Sequence, residues 1–235
     1  VRGTPEMAPP YDALAKYLPD DLHRGRTTEA VTDALREAIL DGVMPPNTWL
    51  REDELAKAFR VSRTPVREAL RRLADEDLAV KTTNHGTVVA PLSLEDILAL
   101  YVVREDLEGV AARLAAVRCP PGLVAQLDEV GERMKRAAED GDVAALSRLN
   151  LEWHRALREG ASNTYLDRFL AQVEHAVRRM PFSTLSHPGR ADEAVCEHEA
   201  VTRAIEARDG EAAERLARAH MRRAREIRVA VLLGG

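Results

Sequence analysis

Cysteine is nearly absent from the 235-residue chain. It has two, Cys119 and Cys196, and no CxxC pair, which excludes a disulfide framework and a thiolate zinc finger. Aromatic residues make up 4% of the chain against 31% charged residues, a balance that disfavours packed β-sandwiches and favours helices. Long apolar runs are missing too. The longest, "VAVLLGG", is too short to cross a bilayer, and no charged start followed by an apolar stretch marks a secretory leader. A cytoplasmic protein with no membrane partner is expected. The formal charge of -5 argues against a protein that coats nucleic acid without regard to sequence, while a local basic face stays compatible with it.

What the chain does contain is helical periodicity, and its 45% hydrophobic content suffices for two modest cores. Residues 1–26 hold four prolines and no sustained period, and read as a flexible N-terminal arm. From Thr27, "TTEAVTDALREAILDG" places Val31, Leu35, Ala38 and Ile39 on one helical face, with Thr27 or Thr28 as a cap and Gly42 as a stop. A loop, "VMPPNTWL", leads to a short second helix carrying Leu55, Ala58 and Phe59 inward. Ser62 can cap a third helix, whose first turn tolerates Pro65. Its apolar side is Val66, Ala69, Leu70 and Leu73; Arg63, Arg67 and Arg71 form a stripe on the other. "AVKTTNHGTVVAPL" then reads as a hairpin turning at Asn84, His85 and Gly86, the glycine supplying a positive φ.

Three helices and a hairpin over residues 27–92 compose a winged helix-turn-helix. A lone arginine stripe is usually a solvated face. Here a helix-turn-helix spacing, N-terminal hydroxyls suited to phosphate and a wing-like hairpin accompany it, and together they point to double-stranded DNA. Arg63 and Arg67 are placed for base edges in the major groove; Lys57, Ser62, Thr64 and Arg71 for phosphates; His85 and Gly86 at the wing tip for backbone or minor groove. Acidic residues slightly outnumber basic ones across this segment, so the acids are expected on faces turned away from the duplex.

Residues 93–235 show no strand signals, only about six helical segments with short connections, an all-helical antiparallel bundle. The whole is a mainly α protein. Three histidines fall on apolar faces in the bundle: His154, His198 and His220. Each alone is more often a hydrogen-bonded core histidine than a ligand. Converging, they suit a divalent ion such as zinc or nickel, and Asn150 lies one turn before His154 as an oxygen donor. His23, His175 and His187 carry no such pattern.

"ELAKAFRVSRTPVREALRRLADEDLAV" followed by "NHGTVV" resembles the N-terminal module of GntR-family bacterial transcription regulators, and the bundle is similar to the FCD domain of its FadR subfamily. The resemblance implies operator contacts from Arg63, Thr64, Arg67, His85 and Gly86. It also implies a metal held by Asn150, His154, His198 and His220, with Asn150 standing where the family usually has aspartate. Asn47 replaces a family glycine, and Asp53 replaces an arginine that contacts DNA in some members. Arg104 in "YVVREDLEGVAARLAAV" can hold the carboxylate of an effector, or else pair with Glu108. The reading is a homodimeric repressor on a palindromic operator, governed by a small organic acid at the metal site. A metal-dependent enzyme using the three histidines and a regulator with a metal-free pocket are its rivals; no HExxH or comparable general base favours the enzyme.

Overall fold

The computed structural model describes residues 11–19, 27–82, 86–180 and 182–233, and the chain forms two compact units, 1–92 and 93–235. No helix among the described residues is long and apolar enough to cross a membrane.

The first unit is built on α1 (Thr27–Leu40), α2 (Glu52–Phe59) and α3 (Arg63–Asp75), followed by β1 (Ala79–Lys81) and β2 (Thr87–Val89) paired antiparallel with Val80 opposite Val88. Its core joins Leu35 and Ile39 of α1, Leu55 and Phe59 of α2, and Val66, Leu70 and Leu73 of α3, the apolar stripes expected from periodicity. Gly42 ends α1's turn at φ 73°, and Asn47 takes φ 67° without difficulty for an asparagine. Part of the segment expected as a flexible arm is ordered. Tyr11–Tyr17 forms a 3-10 helix, Leu14 is fully buried against the core, and the Tyr11 hydroxyl donates to the Trp49 carbonyl at 2.8 Å. A short helix with one apolar anchor and one half-buried hydroxyl contact is too brief to show a period.

His85 lies outside the described residues, as does His23. Gly86 is described, and packing gives it a reason beside the turn expected. A Cβ there would come within 2.1 Å of the Trp49 ring. Packing of the hairpin on Trp49, whose backbone also bridges to Val88, is what demands glycine.

The second unit contains six α-helices among its described residues: α4 (Leu94–Arg118), α5 (Leu123–Glu139), α6 (Val143–Gly160), α7 (Thr164–Arg178), α8 (Arg190–Glu206) and α9 (Gly210–Leu233). Ser93 and Asp96 form a capping box that starts α4. This helix packs on α9, α6, α8 and α7, and it is buried on several sides. Gly109 lets α9 approach, since a Cβ there would sit 2.6 Å from the Arg218 side chain. Leu127, Val130 and Met134 of α5, Leu146, Trp153 and Leu157 of α6, and Val201 and Ile205 of α8 make the main core. It is on the inner sides of α4, α6, α8 and α9 that polar groups interrupt the apolar packing: Arg104, Glu108, His154, Arg190, His198 and His220 are all buried.

Candidate nucleic-acid interface and candidate metal centre

α3 begins at Arg63 with Ser62 in the N-cap position, but the Ser62 side chain makes no cap hydrogen bond. Its hydroxyl is therefore not consumed by the helix. Lys57, Ser62, Arg63, Thr64, Arg67 and Arg71 are all exposed, as a DNA-facing set requires. Their electrostatic setting departs from the expectation that the acids face elsewhere. Arg63 Nε lies 2.5 Å from Asp53 Oδ1, Arg67 donates through Nε to Glu52 Oε1 at 3.1 Å and through Nη2 to Oε2 at 2.9 Å, and Arg71 Nη2 donates to Glu68 at 3.1 Å. The hydrogen bonds from Arg67 to Glu52, with the attraction between the charges, raise the arginine's pKa further. Two of these acids belong to the first turn of α2, where the helix dipole favours carboxylates. The tight turn between α2 and α3 carries that turn up to the arginines, which the sequence pattern of either helix alone does not reveal.

In the second unit, His154 of α6, His198 of α8 and His220 of α9 converge. One possible ligand atom from each lies within 4.8 Å of the others, and all three side chains are buried. The rings of His198 and His220 stand 4.4 Å apart between centroids, and that of His154 is 5.3 and 5.4 Å from them. Each ring is fixed from behind. His154 Nδ1–H donates to Glu108 Oε2 at 3.1 Å, His198 Nδ1–H to the Ala194 carbonyl at 2.6 Å, and His220 Nδ1–H to Glu197 Oε2 at 2.5 Å. With Nδ1 protonated, Nε2 of His154 and of His198 carries a lone pair, and both atoms are buried with no hydrogen-bond partner. Carboxylate or carbonyl behind, bare Nε2 in front, is the arrangement that orients a histidine for a cation. Burial, reinforced by the neighbouring imidazoles, pushes His198 well below the ordinary imidazole range, and burial and the His154 ring do the same for His220. Neutral imidazole is the form that ligates.

Asn150 is half-buried on α6, one turn before His154. Arg104 takes the alternative offered for it: it is buried and its Nε lies 3.3 Å from Glu108 Oε1. Burial works to raise the Glu108 carboxyl, but its contacts with the His154 ring and the Arg104 guanidinium outweigh it and hold the group at about 2. His187 is exposed and His175 half-buried on α7, away from the cluster.

A further residue was not anticipated. Arg190, the first residue of α8, is 1% exposed, and its Nη2 lies 2.6 Å from Glu197 Oε2 and 3.1 Å from His220 Nδ1. Its Nη1 lies 3.2 Å from Glu193 but outside hydrogen-bonding geometry, and its Nε has no partner. A cation in a helix's first turn runs against the macrodipole, and that misfit is the signal that sequence reading passed over. The crevices touching the histidines are small: about 10 Å³ beside Arg104 and Glu174, about 0 Å³ beside Val201 and Met221.

Comparison with known proteins matches residues 27–89 to the bacterial regulatory proteins of the gntR family and residues 99–223 to the FCD domain. A probable D-xylose utilization operon transcriptional repressor of Paenarthrobacter nicotinovorans is 33% identical over 86% of this chain and 87% of its own length. A helix-turn-helix transcriptional regulator of Bacillus subtilis is 27% identical over 79% of this chain and 84% of its own. Among solved structures, E. coli McbR/YncC superimposes with a TM-score of 0.71 at 22% identity, covering 88% of this chain and 97% of that one, a likeness of fold.

Proposed function

Since the chain belongs to the GntR family of bacterial transcription regulators, with an FCD domain as its second unit, and is not an enzyme, we propose that it is a repressor. Its homodimer reads a palindromic operator through Arg63 and Arg67. Lys57, Ser62, Thr64 and Arg71 hold phosphates, and the wing residues His85 and Gly86 lie against the backbone. Repressor is favoured by the name of the Paenarthrobacter relative. Val102 and Val103 of α4 and Phe169 of α7 are exposed on helices that pack together, which supports a face for the second copy.

In the bundle, His154, His198 and His220 hold a divalent ion, zinc or nickel, with Asn150 as the oxygen donor. The observation that carries this is the pair of buried, partnerless Nε2 atoms at His154 and His198. The ion supplies a positive centre with coordination positions left for the carboxylate of a small organic acid. Beside it, Nε and Nη1 of Arg190, which have no hydrogen-bond partner, can receive that anion, as can Arg104, the charge of each being already paired with a carboxylate. The crevices at the cage leave no room for an organic acid, so admitting one requires the helices to repack. That requirement couples effector binding to operator affinity.

The test is metal content and titration of the purified full chain, with operator binding measured with and without chelator and organic acid. Close to one equivalent of ion per chain is expected, lost in His198→Ala along with the response to acid, while operator binding by the metal-free form persists. Less than about a tenth of an equivalent with no uptake on titration overturns the metal site and favours a metal-free pocket.

A further inference from the structure

A sizeable cavity of the second unit lies between a different set of helices from those that carry the histidines' crevice. About 540 Å³ opens between α5 and α8, a volume in the range of small-molecule sites. Its lining includes Asp128, Glu132, Glu139, Asp192 and Glu199 against a single basic residue, Lys135. Glu199 pairs with Arg203 at 3.0 Å. The other four acids make no ion pair among the described residues. Carboxylates gathered around one opening repel each other, and an anionic ligand there would add to the repulsion; a cation relieves it.

Exposed acids alone would be ordinary solvated charge. The cavity wall supplies a second and independent observation. Trp153 lines the cavity, is 2% exposed, and its Nε1–H is buried with no hydrogen-bond partner. The imidazoles that crowd this indole, His198 at 4.4 Å and His154 at 5.2 Å between centroids, do not accept from it. An indole N–H can only donate, so what satisfies it must bring an acceptor. The same indole also borders the crevice between the histidines. One ring thus separates the acidic cavity from the cage.

We propose that the α5–α8 cavity binds a small organic cation that also carries an oxygen acceptor, of the amino sugar or amino alcohol class. Its ammonium sits among Asp128, Glu132 and Asp192, and its oxygen accepts from Trp153 Nε1–H. This ligand is distinct from the organic acid at the metal and does not depend on it. Because Trp153 is a shared wall, filling the cavity also braces the indole on which the His154 and His198 rings rest.

The experiment is calorimetric titration of the chelator-treated full chain with glucosamine and ethanolamine as probes, and with glucose and citrate as neutral and anionic controls. At least one amine should saturate with a dissociation constant below about 1 mM, more tightly by roughly tenfold than either control and weakened by salt. Asp128→Asn with Glu132→Gln, both exposed positions outside the core, should weaken it about three- to tenfold. Gly131 lines the cavity and a Cβ on it meets nothing within 4 Å, so Gly131→Leu should fill the space and abolish amine binding. Metal uptake and operator binding should be unchanged in both variants. Absence of saturation by both amines, glucose binding as tightly as glucosamine, or amine binding that survives both variants each overturns the proposal. A wild type that binds amine but takes up no metal would remove the cage reading and leave this one standing.

Discussion

The face of α3 and the interior of the bundle both set arginine against glutamate, and the two settings behave differently. Arg67 and Glu52 have side chains 66% and 35% exposed, whereas Arg104 and Glu108 are 8% and 5% exposed. In water an ion pair is screened and its partners exchange readily, so the α3 arginines can leave their acids for a phosphate or a base. In the interior no solvent replaces a lost partner. There the pair is a fixture, and the His154 imidazole it orients presents an Nε2 that has no hydrogen-bond partner. A paired charge is thus a resting position in the first unit and a scaffold in the second.

The sharpest way to break that contrast is Glu108→Ala. It leaves the Arg104 guanidinium buried without its partner and the His154 ring without its acceptor, and should remove about 3–5 kcal/mol from the unfolding of the second unit. Urea denaturation followed by circular dichroism reads it. The double change to methionine at Arg104 and Glu108 should recover most of the loss, because the charge that must be desolvated is gone as well. A single substitution that lowers stability no more than an exposed pair does would erase the distinction between the two settings.

Next in size is Arg67→Ala, where the sign of the contrast reverses. Melting should be unchanged, since neither Arg67 nor Glu52 supports the core. Operator affinity should fall about ten- to a hundredfold, corresponding to roughly 1–3 kcal/mol for a bidentate contact to a guanine edge. Gel shifts at one fixed salt concentration check it. A variant that melts early, or binds operator as before, would place Arg67 in structure instead of in the groove.

Acid should separate the units further. His198 and His220 are buried neutral, with pKa values pushed below the 6.5 they take in an unfolded chain. Below pH 6.5 the unfolded state therefore binds more protons than the folded one. The stability they contribute is complete above that pH and declines as the pH falls below it. In metal-free protein, the unfolding transition of the second unit should drop between pH 6.5 and 5. That of the first, whose described residues bury no histidine, should move little. Equal displacement of both transitions would show that the cage is not the source.

Sequence periodicity was enough to place every long helix, because a 3.6-residue stripe survives in each segment by itself. It also found the three histidines, whose apolar neighbours lie on their own helices. What escaped it depends on contacts between elements. The pairing of Glu52 with Arg67 requires knowing that α2's first turn meets α3. The need for glycine at position 86 comes from Trp49, far back in the chain. Arg190 stands at a helix start, where its own segment gives no reason for burial, and it is buried beside His220 of α9. Glu108 and Glu197, which hold the imidazoles from behind, are typical helical acids until the bundle closes.

The smallest expected effect tests whether the resting pairs on α3 also guide it. Glu52→Gln removes a negative charge from beside the expected phosphates and frees the Arg67 guanidinium from its two-point contact. Less repulsion should raise affinity for non-operator duplex about two- to threefold at low salt, a gain that fades as the salt is raised. Operator affinity should change less, because a guanidinium no longer held in one orientation loses conformational freedom on meeting its base. The ratio of specific to non-specific binding therefore falls, measured by operator gel shifts against competitor duplex at two salt concentrations. If Glu52→Gln instead weakens operator binding as much as Arg67→Ala does, the carboxylate is part of the recognition surface, and the exposed pair is a scaffold like the buried one. If it alters neither affinity at either salt, the contact is an incidental meeting of solvated side chains, and the exchange of partners ascribed to this face has no energetic content.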